Sequence, residues 1–416
     1  MFTHTEGMRT RSDLAHIFAR RVHRQLQGLE SLSLRYGWLR IAVFFLGVAL
    51  FLTLHVLNYS LASWLSAMGC LALFIALVKQ HQRVRQSIQA HKLALRLRAE
   101  QQARAELDWA KIPALPLRSA EAGHLFESDL DLTGPESLLT LLDTTASTQG
   151  LERLRQWLLY PLTEATAIHA RQQLVAALKP LQGMRLQLRL SVAQVNWDQG
   201  QAPETRWDQA PLQTLLDAPS ASGDLRPWIG ILGLLSLANL SAWGLWFSGL
   251  APQWPGQILI SIYILLYWSQ RHRLGKLFQE ALYLDAALLH LRTLTSLLEK
   301  RKSKHLALQN LLAPLQNSHR PSQQLAALRR VLAAASLQGN PLVWVLFNLA
   351  GPWDFWFRHR LDHLRHDLKT DIPAWLECLT ELEAASALAT FAWNHPECPF
   401  PTLTDTTPAL ETQALA

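Results

Sequence analysis

Two stretches of the chain are uncharged over the length of a bilayer. Ile41 to Leu57 and Leu61 to Val78 contain no Asp, Glu, Lys or Arg, and at 1.5 Å per helical residue each is about long enough to cross roughly 30 Å of hydrocarbon. The Asn58-Tyr59-Ser60 link makes the pair a hairpin. A second pair follows, Trp228 to about Leu250 and the shorter Trp254 to Trp268, which has Pro255 near its start. Another apolar run, Leu342 to Ala350, is too short to span and is stopped by Gly351-Pro352 and Asp354. Its length predicts a core helix.

Elsewhere apolar positions recur every three or four residues, the period of a half-buried helix. Leu138, Leu139, Leu141 and Leu142 form one such face; small and hydroxyl residues from Asp143 to Gly150 break it before Leu151, Leu154, Trp157 and Leu158 resume it. Side-chain oxygens in that break suit the cap of the next helix. Pro161 ends that helix, and Thr163, Glu164 and Thr166 offer capping groups ahead of Ile168 and Leu174. Long helical patterns return from Arg271 to Pro396, interrupted near Pro314, Pro321 and Gly339 to Pro341. No strand-rich segment or internal repeat is evident, so the chain reads as all-α.

This order of elements predicts a linear organisation. Residues 1–40 are a basic cytoplasmic segment, 41–78 a first transmembrane hairpin, and 79–117 a charged helix with a linker punctuated by Pro113 and Pro116. Residues 118–226 form a first helical block that closes in a loop-like stretch around Pro203, Pro211 and Pro219. The second hairpin occupies 227–268, a second helical block 269–401, and a tail 402–416.

Composition supports the hairpins: 49% hydrophobic residues beside 17% charged is high for a soluble chain. Trp38, Trp64, Trp228, Trp243, Trp246, Trp254 and Trp268 lie within or beside the apolar runs, where an amphipathic ring suits the headgroup level. The net charge of +7 would suit nucleic acid, but its distribution argues otherwise. Residues 1–40, 79–111 and 271–304 hold 23 Lys or Arg against nine Asp or Glu, while the rest of the chain holds 16 against 23. The basic excess therefore adjoins the hydrophobic runs, where it can hold anionic lipid. By the positive-inside rule it places the N-terminus and both polar blocks in the cytoplasm, as a multi-pass protein of a bacterial-type inner membrane. The first forty residues are polar for too long to be a cleavable signal, so the first hairpin reads as a retained anchor. Cys70, Cys378 and Cys398 lack the spacing of a disulfide or metal framework. The spans contain no Asp, Glu, Lys or Arg, the usual marks of an ion path, and His55 alone is weak evidence for one, which argues against a transporter.

The stretch from Asp129 to Gln172 resembles the entry to the core domain of the MutS mismatch-repair family. Members carry there a Leu-rich helix, an Asp-x-Thr-x-(Ser/Thr)-x-x-Gly step, a Leu-x-x-Trp-Leu helix, a Pro and an Arg-Gln pair. This chain supplies Leu138, Leu141, Leu142, Asp143, Thr145, Ser147, Gly150, Leu154, Trp157, Leu158, Pro161, Ile168, Arg171 and Gln172. The second block is similar as well. A helix through Leu376, Leu379, Leu382, Ala385, Leu388 and Phe391 ends in AWNHPECPFP, with His395-Pro396 and Phe400-Pro401, and FNLAGPWDFWFRHRLDHL precedes it. Both resemble family members with membrane hairpins. The resemblance covers most of residues 124–401 and implies an all-α MutS-type core and lever domain carrying two transmembrane hairpins. It makes Leu138, Asp143, Thr145, Gly150, Trp157, Leu158, Pro161, Arg171, Gln172, Phe391, His395 and Pro396 structural motif residues, with Asp143, Trp157, Arg171 and Gln172 in packing and hinge roles.

MutS proteins act through a C-terminal ATPase domain, and the sequence contains no Gly-x-x-x-x-Gly-Lys-(Ser/Thr). The lone Gly275-Lys276 has Gln270 where the first Gly belongs, and a phosphate cradle needs the backbone amides those glycines free. The tail LETQALA resembles what precedes the ATPase domain in the family. The expectation is thus a fragment or truncated form with no ATPase activity or cofactor of its own; ATP and magnesium would come with a separately supplied domain. The family's mismatch-reading domain is also unmatched, which leaves DNA binding open. His359, Asp362, His363, His366 and Asp367 share helical spacing that could hold a metal, but the interleaved Arg358, Arg360 and Arg365 favour a solvated lever face. No metal ligand or catalytic residue is expected. The expected partners are a lipid bilayer, a second copy of the chain, and a protein partner or separately encoded ATPase. The alternative is a non-enzymatic inner-membrane scaffold whose helical arms bind a protein.

Overall fold

The computed structural model describes residues 2–115, 124, 126–217, 224–274, 277–316, 320–335 and 341–403. Pro116, Pro219, the Gly275-Lys276 pair, Gly339 and the tail LETQALA lie outside the described residues. Among the described residues every element is a helix, and one isolated bridge pairs Ser147 with Trp207. The chain divides into two compact units, 1–113 and 114–416.

The first unit is a pair of long helices, α1 (Phe2–Val56) and α2 (Ser60–Glu106), followed by a short turn of 3-10 helix, Trp109–Lys111. The basic segment, the apolar run and the charged helix predicted as separate parts are thus continuous. Between α1 and α2 the chain reverses in three residues, with Asn58 at a φ of 62°, a conformation its short polar side chain tolerates. Away from that turn the two helices share a small apolar cluster, Val22, Leu26, Val84 and Ile88. Near it, Gly47 lets the helices approach closely, for a Cβ there would lie 2.9 Å from Cys70 Cβ.

The second unit begins with α3 (Leu138–Leu142), α4 (Thr148–Leu159), α5 (Ala165–Leu178), α6 (Gln182–Asp198) and α7 (Ala210–Asp217). A hairpin of α8 (Arg226–Phe247) and α9 (Trp254–Gln270) follows. Then come α10 (Leu277–Leu298), α11 (Leu306–Gln316), α12 (Pro321–Ala335), α13 (Pro341–Ala350) and α14 (Trp353–Asn394). Local signals set the boundaries. Ser137 Oγ accepts from Thr140 N and Ser147 Oγ from Gly150 N, capping α3 and α4, and α4 ends two residues before Pro161. Glu164 precedes α5 but makes no side-chain cap, contrary to the expectation for Thr163 to Thr166.

Helix α14 organises this unit. Its Leu361, Leu368, Ile372, Leu376, Leu379 and Leu382 recur at helical spacing and are buried against Leu178, Leu188, Leu291, Leu312 and Leu325 of α5, α6, α10, α11 and α12. At 42 residues it is about 63 Å long, with Pro373 inside it.

Among the described residues, three helices are long and apolar enough to cross a membrane: Arg20–Val56, Ser60–Glu106 and Arg226–Phe247. Only 6%, 6% and 17% of their apolar windows are buried, so internal packing does not account for them. Helix α9, at 17 residues, spans about 26 Å, and Pro255 sits in its first turn, where a missing N–H breaks no helical bond. Helix α13 departs from its expected place. Trp344 joins the cluster formed by the α8–α9 hairpin and Phe355, whereas Val345, Phe347 and Leu349 are exposed. It packs on the hairpin and is not an interior helix of the main core.

Candidate functional site

The Asp143 to Gly150 step closes onto α14 through a single carboxylate. Glu383 is buried, and its Oε2 accepts from Ala146 N at 3.2 Å, Ser147 N at 2.9 Å and Ser147 Oγ at 2.7 Å. Ser147 Oγ in turn accepts from Gly150 N at 2.9 Å, so one hydroxyl caps α4 and ties it to α14. Gly150 is required by this closeness: a Cβ there would stand 2.2 Å from Glu383 Oε2. Burial raises the Glu383 pKa, and the Ser147 and Ala146 donors partly offset that. Two other ties fasten α4. Arg153 bridges Glu377 at 2.7 Å and Glu381 at 3.1 Å, and buried Arg155 meets Glu127 at 3.2 Å.

Asp143 and Thr145 form the other half of the step. Asp143 Oδ1 accepts from Thr145 N at 3.0 Å and Thr145 Oγ1 at 2.7 Å, while Arg206 donates to Asp143 Oδ2 and, at 2.9 Å, to Thr145 Oγ1. Burial works against the Asp143 charge, yet Arg206 and the Thr145 donors hold the carboxyl below its ordinary value. Arg206 comes from the Pro-rich stretch after α6, which also supplies the bridge: Thr148 N donates to Trp207 O and Trp207 N to Ala146 O, each at 3.0 Å. Trp207 stacks on His290 of α10 at 5.4 Å. His290 Nε2 lies 2.8 Å from Asn196 Oδ1, and burial pushes the imidazole down to about 4.

The remaining motif residues pack. The Arg171 guanidinium lies 3.9 Å from the centre of the Trp157 ring, which sits half-buried between two apolar clusters. Gln172 Nε2 donates to Pro401 O at 3.0 Å, fastening α5 to the segment after α14. Phe391 and His395 rings meet at 4.6 Å, and His395 Nδ1 lies 3.0 Å from Glu397. Leu138 is partly exposed at the start of α3, Leu158 is half-buried, and Pro161 and Pro396 are at the surface. Motif reasoning missed Glu383, Arg206 and Arg185. Buried Arg185 donates to Leu178 O and, at 2.8 Å, to Lys179 O at the end of α5, and its Nε to Thr390 Oγ1 at 3.0 Å.

A second polar node lies where α14 begins. Asp354 Oδ2 accepts from Tyr267 OH at 2.6 Å and Trp344 Nε1 at 2.9 Å, and Asp354 Oδ1 from Asn348 Nδ2 at 3.3 Å. Further along, the reading of a solvated arginine face needs correction. Arg358 and Arg365 are buried, and Arg358 reaches Asp362 at 3.2 Å; of the three arginines Arg360 alone is exposed. The buried guanidiniums follow from position, since both lie in register with the core residues Leu361 and Leu368. His359 and His363 rings meet at 4.6 Å, yet among the described residues no group of three His, Cys, Asp or Glu could hold a metal ion. A cleft of about 210 Å³ beside the α4–α14 ties is lined by Gln149, Arg153, Gln209, Glu377 and Thr380.

Residues 119–199, which include α3 to α6, match the family model of MutS domain III. This match supports a MutS-like assignment for the segment carrying the Asp143 to Gly150 step. No curated protein and no solved structure matches the chain.

Proposed function

We propose that this chain is a membrane-anchored MutS-type core and lever module that holds and transmits position and performs no ATP chemistry of its own. The observation that carries the reading is the course of α14. One end is bonded to the α8–α9 hairpin through Asp354 and Tyr267, and the other receives the Asp143 to Gly150 step through Glu383. One continuous helix fastened at Asp354 and again at Glu383 suits transmission of position. The exposed apolar faces of α1, α2 and α8 support the anchor, and their basic flanks support a cytoplasmic side for the polar blocks. ATP and magnesium would enter only with a separately supplied ATPase domain.

A second reading, a scaffold for a protein partner, is favoured by the acidic excess outside the basic flanks, 23 Asp or Glu against 16 Lys or Arg. The whole chain, purified in detergent, is tested for ATP turnover and for binding to matched and mismatched duplexes across salt concentrations. We expect no turnover above an empty preparation. Turnover that follows the chain through purification overturns the non-enzymatic part. Duplex affinity that falls steeply with salt favours a DNA-holding lever, and its absence favours the scaffold.

A further inference from the structure

Helix α13 and the start of α14 lie alongside the α8–α9 hairpin at a measurable depth. Ser236 Oγ donates to Leu349 O at 3.1 Å, and Ser236 is ten residues into α8 from Arg226, about 15 Å along the helix. On α9, Tyr263 OH donates to Asn348 O seven residues before Gln270, about 10 Å from that end. The register closes independently, because Arg226 Nη2 lies 3.4 Å from His363 Nε2. The chain from Leu349 through the start of α14 to His363 thus runs beside the eleven residues of α8 from Ser236 back to Arg226.

We infer that Pro341–Ala350 and the first turns of α14 form a re-entrant membrane segment, entering the bilayer along α13, turning at Gly351-Pro352 near mid-depth and leaving along α14. The inference rests on the reading of α8 and α9 as membrane helices. Two observations carry it beyond the depth. The outward side chains are apolar and continue the hairpin's exposed face: Val345 is 51% exposed, Leu349 38% and Trp356 47%. A helix break at such depth is tolerated only where its polar groups find protein partners. Here they do. Leu349 O and Asn348 O accept from the hairpin hydroxyls, Gly351 N donates to Phe347 O at 3.1 Å, and Asp354 N donates to Asn348 Oδ1 at 3.3 Å. The Asp354 carboxylate, costly in hydrocarbon, accepts from Tyr267, Trp344 and Asn348.

The test uses the full chain carrying Cys70→Ala and Cys398→Ser. Cys378 stays, because its thiol is buried, donates to Leu311 O at 3.0 Å and is pushed up to about 12, so it resists labelling. Val345→Cys, Leu349→Cys, Leu234→Cys and Leu306→Cys each receive an environment-sensitive nitrobenzoxadiazole label in liposomes. All four side chains are exposed, which spares the core. We expect Val345→Cys and Leu349→Cys to show the blue-shifted emission and loss of iodide quenching of Leu234→Cys on α8, while Leu306→Cys on α11 stays quenched. Trp356→Cys repeats the readout should an α13 variant fail to fold. Emission at 345 and 349 like that at 306, with 234 in lipid, overturns the re-entrant segment and identifies a surface open to a soluble partner. Quenching at 234 overturns the hairpin reading itself, and the re-entrant segment with it.

Discussion

Gly150 and Glu383 show how one close approach fixes a junction. Gly150→Ala puts a methyl group where Glu383 Oε2 lies, at 2.2 Å, so the buried carboxylate or α4 must move. We expect a loss of about 1–3 kcal/mol in chemical unfolding, whereas Gly183→Ala in α6, where nothing lies within 4 Å, should be neutral or gain up to about 1 kcal/mol from helix propensity. Equal effects would mean the junction yields freely. His290 supplies a pH dependence. Its folded value, about 4, lies below the ordinary 6.5, so between those values the unfolded chain binds a proton that the native chain refuses. Stability from this group is therefore full above about 6.5 and falls by about 3 kcal/mol as pH drops to about 4. Comparing pH-dependent unfolding of the native chain with His290→Gln should show a shallower acid decline in the variant; parallel curves would mean His290 is not the source. The sequence made the Gly150 step legible through its spacing and hydroxyl caps. Glu383 carried a weaker signal, an acid four residues after Leu379 on an apolar face, and Arg206 carried none, because its loop has no period to place it.

At the level of elements, helix type and most boundaries followed from periodicity, Pro161 and the serine caps. What periodicity missed was partnership. The run Leu342 to Ala350 is equally apolar whether it enters a core or lies on another helix, and the hydroxyls of Ser236 and Tyr263 decide the matter in space. The first hairpin provides a test of close helix packing. Gly47 faces Cys70, whereas Gly69 has nothing within 4 Å. Small residues at such crossings let membrane helices touch, so Gly47→Ile should weaken the α1–α2 pair by about 1–3 kcal/mol in a titration from mild detergent to sodium dodecyl sulfate. Gly69→Ile should leave the midpoint unchanged. A similar shift for both would show that side-chain bulk in the apolar runs, and not the crossing, sets the effect.

Across the whole molecule, charge and apolar surface separate the roles of the parts. The lysines and arginines gather beside the apolar runs, and the rest of the chain has an acidic balance, so the net charge by itself says little about nucleic acid. Buried polar groups of the MutS-like segment hold helices together, as the Asp143, Ser147 and Arg155 bonds illustrate. Pro373 then acquires a meaning that its neighbours do not have. It lies near the middle of α14 and has no N–H to donate to the preceding turn, so bending resistance is lowest there. With about 30 Å of helix on either side, a change of roughly ten degrees at that one residue would swing the Asn394 end through about 5 Å relative to the Asp354 end, and Glu383, nearer the bend, through about half of that. A small angular change at a single imino acid would thus become a displacement larger than a hydrogen bond.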